Sequence, residues 1–528
     1  MKTNLLNTSC AISFLLTISL SATAAVKIPD TGQNRCYNNS RAMSCSGNSS
    51  FFGQDAQYQG HQPAYRDNRD GTVTDLNTGL IWSKAVSPQK LSLNEAKREA
   101  AMMSLAGHSD WRVPTIKELY SLIDFRGYTG FSGRRNLNNV PSNAIPYINT
   151  DYFDFLYGPK SERYIDAQWL SSTKYVSTTM GRSKTLFGVN FADGRIKGYG
   201  YQHPSGRETK KFYVRYVRGA PYGQNSFSDN GDGTISDQAT GLTWAKMDSG
   251  RGMTWREALA YAEKLNLAGH SDWRLPNAKE LQYIVDYSRS PDTTNSAAID
   301  PVFQASSITN ENGQKDYPYY WTSTTHLDGP RPGSSAVYIA FGRALGNMRG
   351  RTMDVHGAGA QRSDPKNGSD TTSRGPQGDT VRVNNYVRVV RGGDVRLSNT
   401  AKKADRSAYP YNVSSLQTQP EGDNNSQRQQ QFGRQNSRNN PGQISPPFGD
   451  NRNQPQRDGG QMSGGDFGSH FVSRLDNDGD GKVSRSEFDG PADRFDFHDE
   501  NGDGYISAQE IGRNPPPPPP GGFGRGVR

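Results

Sequence analysis

This chain contains a long internal duplication, which limits the folds it can adopt. Residues 67–75 (DNRDGTVTD) recur as 229–237 (DNGDGTISD), and residues 106–114 (AGHSDWRVP) recur as 268–276 (AGHSDWRLP). Both segments return after the same interval of 162 residues. A long repeat that keeps its spacing predicts two copies of one folding unit rather than a single large core.

The second half of each copy is also shared, although its spacing drifts. Residues 169–173 (WLSST) align with 321–325 (WTSTT), and residues 213–219 (YVRYVRG) align with 386–392 (YVRVVRG). The drift indicates that the two copies differ by insertions in the loops between shared elements.

Local signals predict an α+β fold with few helices. In the first copy, an Asp70-Gly71 turn between short apolar runs is typical of a β-hairpin. Ser92 with Glu95 forms the capping box of a helix, and Pro114 suits the first position of a second helix. The second copy repeats these signals, and short strands rich in aromatic and β-branched residues follow in both.

The first 25 residues indicate export. Lys2 precedes an apolar run at 11–20, and the small-residue site 22–24 (ATA) follows. This pattern predicts a secretory signal peptide, and the apolar run is too short to span a bilayer. We therefore expect an exported protein without a transmembrane segment, located in the periplasm, at the cell surface or outside the cell.

The cysteine content fits an oxidising compartment. Cys10 lies within the predicted signal peptide, which leaves Cys36 and Cys45 in the mature chain. An even pair in an exported protein predicts a disulfide between them. Two free thiols is the alternative.

Two 12-residue loops near the C terminus predict calcium binding. Calcium takes six to eight oxygen ligands, and an EF-hand loop supplies them from positions 1, 3, 5, 7, 9 and 12, with glycine at position 6. Both loops fill every position, with Gly481 and Gly504 at the turn. The predicted ligands are Asp476, Asp478, Asp480, Lys482 (backbone), Ser484 and Glu487, and Asp499, Asn501, Asp503, Tyr505 (backbone), Ser507 and Glu510.

The two loops are closely spaced. Their first residues, Asp476 and Asp499, leave too little chain between the loops for two full helices. Val483 and Ile506, both at position 8, are expected to pair as a short β-bridge. In this compactness the pair is similar to dockerin modules, which favours a folding unit or docking tail over a wide-opening sensor.

Composition identifies the remaining segments of the chain. The stretch after the second copy is rich in Gln, Asn, Arg, Gly, Pro and Ser, so it cannot bury enough apolar surface to fold. The predicted segments are a signal peptide (1–25), an N-terminal segment (26–63), two repeats (64–220 and 221–395), a disordered linker (396–465), a small helical EF-hand pair (466–514) and a Pro/Gly-rich tail (515–528).

The shared motifs of the repeats have a specific resemblance. GHSDWR-x-P-(x)3-EL, DGT-(x)2-D-(x)2-TGL-x-W and VR-x-VRG together resemble the C-terminal domain family named after the Legionella collagen-like adhesin. The resemblance implies a variant of the C-type-lectin and formylglycine-generating-enzyme fold, and a family whose best-known member binds sulfated glycosaminoglycans. The family often has cysteine in the last motif, whereas this chain has Tyr216 and Val389.

Several residues in the repeats are candidates for function or for the core. The tryptophans that pair across the copies (Trp82, Trp111, Trp169, Trp244, Trp273 and Trp321) could stack on sugars, but we expect them in the core. His108 and His270, with Ser171, Ser172 and Ser323, could be hydrolytic, but no nucleophile-elbow motif is present. Arg112 and Arg274 are expected to pair with Glu118 and Glu280. The segments 67–75 and 229–237 are interpreted as hairpin turns.

The distribution of charge along the chain indicates what kind of partner the protein binds. Residues 178–218 hold nine Lys or Arg against two acids, and residues 331–391 hold ten against four. In an exported protein this predicts an anionic polysaccharide, or a surface protein, rather than nucleic acid. We therefore expect a calcium-binding, adhesin-like protein rather than an enzyme. The alternatives are a secreted hydrolase or modifying enzyme on the same scaffold, and a structural protein that docks through its EF-hand tail.

Overall fold

The computed structural model describes residues 25–398 except 48, 88, 132–138, 204, 208, 209 and 372. In the C-terminal segment it describes residues 472, 475, 476, 480–485, 487, 488, 495, 498, 499, 503–508 and 510. The predicted signal peptide (apart from Ala25), the predicted linker from 399 onward and the predicted Pro/Gly-rich tail lie outside the described residues. Within the described part of the chain, no helix has the length and apolar character needed to cross a membrane.

The N-terminal segment contains only short elements. They are β1 (Cys36–Tyr37), β2 (Ala42–Met43), a 3-10 helix (Asp55–Gln57) and β3 (Tyr58–Gln59). A disulfide joins Cys36 to Cys45 across the β1–β2 hairpin, with the Cα atoms 5.3 Å apart.

The first repeat combines a four-stranded antiparallel sheet, two helices and a three-stranded meander. Its elements are β4 (Tyr65–Asp67), β5 (Thr72–Asp75), β6 (Ile81–Ser83), α1 (Leu93–Met102), α2 (Ile116–Ser121), β7 (Gln168–Thr179), β8 (Ser183–Asn190), β9 (Arg195–Gln202) and β10 (Val217–Arg218). The small sheet has the order β10-β6-β5-β4, so the last strand of the repeat returns to its first hairpin.

The second repeat has the same plan. Its elements are β11 (Phe227–Asp229), β12 (Thr234–Asp237), β13 (Leu242–Ala245), α3 (Trp255–Lys264), α4 (Ala278–Tyr283), β14 (Ile308–Thr309), β15 (Lys315–Asp316), β16 (Tyr319–His326), β17 (Ser335–Ala340), β18 (Leu345–Met348), β19 (Arg351–Asp354), β20 (Gln361–Pro365) and β21 (Val390–Gly392). Its small sheet has the order β11-β12-β13-β21. The described part of residues 25–398 is thus mainly β-sheet with four α-helices, which confirms the coarse α+β expectation.

The capping boxes of α1 and α3 are confirmed. The Ser92 hydroxyl accepts a hydrogen bond from the Glu95 amide, and Thr254 does the same for Glu257. The expected start of the following helix at Pro114 is wrong, because α2 begins at Ile116 after the N-cap Thr115. The threonine side chain satisfies a free amide of the first turn, which proline cannot do.

The two repeats share one large sheet. Its order is β16-β17-β20-β9-β8-β7, and the two meanders meet where Ile196 on β9 pairs antiparallel with Gln361 on β20. The largest cluster of buried apolar residues also takes side chains from both copies, including Trp169 from the first and Trp244 from the second. The copies therefore form one body with a common core.

A pair of equivalent lysines crosses between the repeats. Lys117 on α2 donates to the Tyr283 carbonyl at the end of α4, and Lys279 on α4 donates to the Ser121 carbonyl at the end of α2. Each lysine thus donates to a backbone carbonyl of the other copy. Burial lowers the pKa of Lys117 and Lys279 to about 8 in both cases.

The N-terminal segment covers the outer edge of β16. The Gln33 side-chain amide donates to the Thr325 carbonyl and accepts from the Thr325 amide, both at 2.8 Å. One glutamine side chain thus satisfies two backbone groups that an edge strand would leave open. Phe52 is fully buried against Ala260 on α3. The segment is an integral part of the second repeat, which its polar composition did not reveal.

The chain that leaves the second repeat also pairs with this segment. Strand β22 (Arg396–Leu397) runs antiparallel to β3. The predicted linker boundary at 396 is therefore too early, because pairing with a distant strand orders these two residues.

A buried carboxyl anchors the N-terminal segment. Asp55 is 3 % exposed, and its Oδ2 accepts hydrogen bonds from the hydroxyls of Thr31 (2.7 Å) and Thr324 (2.5 Å). Burial, with the nearby Asp30 carboxyl adding to it, raises the pKa of Asp55 to about 8. The side chain is therefore mostly protonated at neutral pH.

Aligning Trp169 with Trp321 proves wrong by one residue. The Leu170 amide donates to the carbonyl of Tyr213, and the Trp321 amide donates to the carbonyl of Tyr386, each at 2.9 Å. Tyr213 and Tyr386 occupy equivalent places in the repeats, so the structural equivalent of Trp321 is Leu170.

The one-residue shift places the two tryptophans on opposite faces of the sheet, because side chains alternate along a strand. Trp169 corresponds to Tyr320, and both lie under a buried arginine. The Arg215 guanidinium is 5.1 Å from the Trp169 ring, and that of Arg388 is 5.7 Å from the Tyr320 ring. Trp321 instead packs into a separate core within the second repeat.

Candidate functional site

The first predicted calcium loop is folded around its leading carboxylate. Asp476 Oδ1 accepts the Asp480 amide at 3.2 Å, and its Oδ2 accepts the Gly481 amide at 2.8 Å. Gly481 has φ +82°, a conformation that favours glycine. Glu487 Oε2 accepts the Ser484 amide at 2.8 Å. The positions expected to supply ligands thus turn back toward one another.

The second loop repeats these contacts position by position. Asp499 Oδ1 accepts the Asp503 amide at 3.1 Å and its Oδ2 accepts the Gly504 amide at 2.9 Å. Glu510 Oε2 accepts both the amide and the hydroxyl of Ser507, at 2.7 and 2.8 Å. Two separate stretches of sequence therefore adopt one loop geometry.

The expected pairing of the two loops is confirmed. Strands β23 (Val483–Ser484) and β24 (Tyr505–Ile506) are antiparallel, with Val483 opposite Ile506. Val483, Ile506 and Phe495 are fully buried in a small core with Val472 and Leu475. The loops are coupled through a backbone pair and a shared apolar cluster.

The donors that the loops offer suit a hard cation. Every predicted ligand is an oxygen, from a carboxylate, a hydroxyl, an amide or a backbone carbonyl. Two of them, Asp478 and Asn501, lie outside the described residues. Among the residues that are described, no group of three or more His, Cys, Asp or Glu side chains is already gathered as a metal cluster.

The paired tryptophans belong to the core, as expected. Trp82, Trp169, Trp244, Trp273 and Trp321 are fully buried, and Trp111 is 4 % exposed. Their rings are closed to a sugar ligand in this structure.

The histidines and serines weighed as a hydrolytic site are not brought together. His108 and Asp110 are exposed, and Asp110 pairs with Arg218 at 2.7 Å. The Ser171 hydroxyl is buried and donates to the Phe187 carbonyl at 2.6 Å. The second copy repeats the ion pair through Asp272, so these carboxylates have a structural role.

The expected arginine–glutamate pairs are confirmed in both repeats. Arg274 contacts Glu280 through two hydrogen bonds of 2.6 Å, with both side chains almost fully buried. Arg112 makes the same two bonds to Glu118, but its side chain is 34 % exposed. The Arg274–Glu280 pair of the second repeat is thus more isolated from water than the Arg112–Glu118 pair of the first.

The aspartate-rich segments 67–75 and 229–237 are hairpins, as interpreted. Asp67 Oδ1 accepts the Arg69 amide, and its Oδ2 contacts Lys84 at 2.7 Å. Asp70 accepts both the amide and the hydroxyl of Thr72. The carboxylates are occupied by local contacts.

Most of the cations in the two basic halves have structural partners. Arg195 contacts Asp193 and Asp328, and Arg215 donates to three backbone carbonyls. The cations of these halves that pair with carboxylates are Arg195, Lys197, Lys211, Arg218, Arg343, Arg362, Arg382, Arg388 and Arg391. Counting charge along the sequence therefore overstated the basic surface.

Four exposed cations without a partner among the described residues lie at the ends of two hairpins. Arg182 and Lys184 are at the β7–β8 turn, and Arg349 and Arg351 are at the β18–β19 turn. We name these four residues the basic rim. No sequence signal indicated the rim, because the strand pairing that places these residues at hairpin turns is set by the tertiary fold.

The two hairpins of the basic rim come from different repeats and touch. The Met180 amide, next to the β7–β8 turn, donates to the Asp354 carbonyl at the end of β19, at 2.8 Å. The rim thus combines residues from both copies.

Comparisons with known proteins agree with this architecture. The two repeats are tandem copies of one predominantly β domain. A family model for the Lcl C-terminal domain matches residues 71–218 and 233–356, just over half of the chain. The chain belongs to the Lcl C-terminal domain family. No curated protein and no solved structure matches it. The second match stops before β21, although β21 pairs with β13 as β10 pairs with β6.

Proposed function

We propose that the protein binds calcium through its two C-terminal loops. The observation that carries the proposal is that both loops make the same carboxylate-to-amide hydrogen bonds at the same positions and are joined at Val483 and Ile506. Asp476, Asp478, Asp480, Glu487, Asp499, Asp503 and Glu510 would supply the carboxylates. Asn501, Ser484, Ser507 and the carbonyls of Lys482 and Tyr505 would supply the remaining oxygens.

Calcium would stabilise the C-terminal module, residues 472–510, by relieving the repulsion between its carboxylates. Residues 472–510 contain eleven acids and four bases, and their apolar core is small. Extracellular calcium modules bind with dissociation constants of about 10⁻⁴–10⁻³ M. At about 1 mM calcium, each such site contributes about 0.4–1.4 kcal/mol. Two sites would order a marginal fold without making it very stable.

The test is a calcium titration of the full mature chain by calorimetry. We expect binding heat at millimolar calcium, reversed by chelator. Glu487→Gln with Glu510→Gln should abolish most of it, because each change removes a bidentate ligand. The matched control, Asp489→Asn with Asp493→Asn, removes the same charge at positions that are not ligands and should bind normally. A chain that gives no heat, or a double glutamine variant that binds as the wild type does, contradicts the proposal.

We further propose that the protein is exported and adhesin-like, that its repeats have a lectin-like fold, and that they bind an anionic glycan. The specific observation is the basic rim, which presents Arg182, Lys184, Arg349 and Arg351 to solvent without partners among the described residues. Exposed cations on flexible side chains suit the sulfate and carboxylate groups of a polysaccharide.

Chromatography on heparin, in the presence of calcium, tests the glycan proposal. We expect the mature chain to be retained at low salt and released at moderate salt, because exposed charges are screened. Reversing the four rim cations to glutamate should remove the retention. The control reverses Arg41, Lys97, Arg98 and Lys160, which are also exposed. It should lose less of its retention on heparin than the rim variant does. Equal losses in the two variants would show a response to net charge alone and contradict a rim site.

A further inference from the structure

The basic rim presents four positive charges to solvent. Arg182, Lys184, Arg349 and Arg351 are exposed on two hairpins that meet at the Met180–Asp354 backbone bond. The carboxylate that lies nearest in the chain does not neutralise them. Asp354 is 9 % exposed, and its side chain accepts hydrogen bonds from the Tyr175 hydroxyl and the Gly357 amide.

The same chain contains a segment of opposite charge. The whole protein has a net charge of +9, yet residues 472–510 hold eleven acids against four bases. In the described part of that segment, Asp480 and Asp503 are exposed in their loops. The segment and the rim are therefore complementary in charge.

The intervening chain is long enough to bring the two together. Residues 399–471 separate the last described residue of the body from the C-terminal module. At about 3.3 Å for each extended residue, this length spans roughly 240 Å. Because the module is covalently attached, docking in the same chain is favoured over docking between molecules at low protein concentration.

We propose that, without calcium, the acidic C-terminal module docks on the basic rim of its own chain, and that calcium releases it. This inference rests on the proposed calcium binding. Two calcium ions offset four of the seven net negative charges of residues 472–510, so the electrostatic attraction to the rim falls. By linkage, docking must weaken calcium binding by the same factor as calcium weakens docking. Release would expose the rim to external anionic ligands.

Calorimetry on the full mature chain at low ionic strength tests the inference. Reversing Arg182, Lys184, Arg349 and Arg351 to glutamate should tighten the apparent calcium affinity about fivefold or more, the usual lower range of coupling between sites. The difference should shrink at high salt. The control reverses Arg41, Lys97, Arg98 and Lys160, which changes the net charge equally and should leave the affinity near that of the wild type.

Cross-linking of amines to carboxylates supplies an independent readout. Lys184 should link to acids of residues 472–510 without calcium, within single chains, and the link should be lost when calcium is added. If the wild type, the rim variant and the control variant bind calcium with equal affinity, the docking inference is overturned while the calcium proposal stands. If no protein binds calcium, both are overturned. Links that form only between isotopically distinct chains would show association of two copies and contradict docking within one chain.

Discussion

Replacing Glu280 with glutamine should lower the free energy of unfolding by about 3–5 kcal/mol, the usual cost of leaving one partner of a buried ion pair uncompensated. Glu280 and Arg274 are 2 % and 3 % exposed, and the pair is joined by two hydrogen bonds of 2.6 Å. Glu280 Oε2 also accepts the Asn277 amide at 2.9 Å, which fixes the start of α4. The substitution keeps the shape of the side chain but removes its charge.

Urea unfolding of the full mature chain followed by tryptophan fluorescence measures this effect. All seven tryptophans lie between positions 82 and 321, so the signal reports on the repeats and not on the C-terminal module. The matched control is Glu118→Gln in the first repeat. Its partner Arg112 is 34 % exposed and can be hydrated, so the loss should be clearly smaller. Equal losses in the two repeats, or a loss below about 1 kcal/mol for Glu280→Gln, would contradict the expectation.

Replacing Trp321 with alanine should also lower the free energy of unfolding by about 3–5 kcal/mol, because it leaves a large cavity in a closed core. The indole is fully buried, and its Nε1 donates to the Met253 carbonyl at 2.9 Å. The surrounding cluster also contains Trp255 and Trp273, so several large side chains would lose packing contacts together.

Trp321→Leu separates the packing contribution from a role in ligand binding. The equivalent position in the first repeat is Leu170, which is fully buried in its own core. Leucine should therefore fill part of the cavity and cost less than alanine in the same urea titration. Both variants should keep the wild-type retention on heparin wherever they remain folded. Loss of retention by folded Trp321→Leu would assign the tryptophan to the binding surface instead.

Some features could be predicted from the sequence because they depend on residues close together in the chain. The capping box of Ser92 with Glu95 and the Arg112–Glu118 pair span only three and six residues, so their geometry follows from local turns. The 162-residue spacing predicted two copies of one domain, and the family match confirms them. The pairing of Val483 with Ile506 follows from their shared loop position.

Other features depend on partners far away in the chain, and local patterns gave no indication of them. The equivalence of Trp321 with Leu170 depends on a strand register, and a one-residue slip reverses which face a side chain occupies. Gln33 satisfies the edge of β16 at Thr325, nearly three hundred residues away. Its polar neighbourhood predicted only an N-terminal segment without a defined role.

The duplication, the starts of α1 and α3, and the oxygen-rich loops of the C-terminal module follow from the order of residues in the chain. That the two copies share one sheet through Ile196 and Gln361 follows only from the folded structure. Which cations are exposed also depends on the folded structure. Charge is a property of each residue, but exposure depends on which strands pair and which acids they bring near. Hence the nineteen basic residues in the two stretches divide into those held by carboxylates or backbone oxygens and those left exposed, which include the four of the rim.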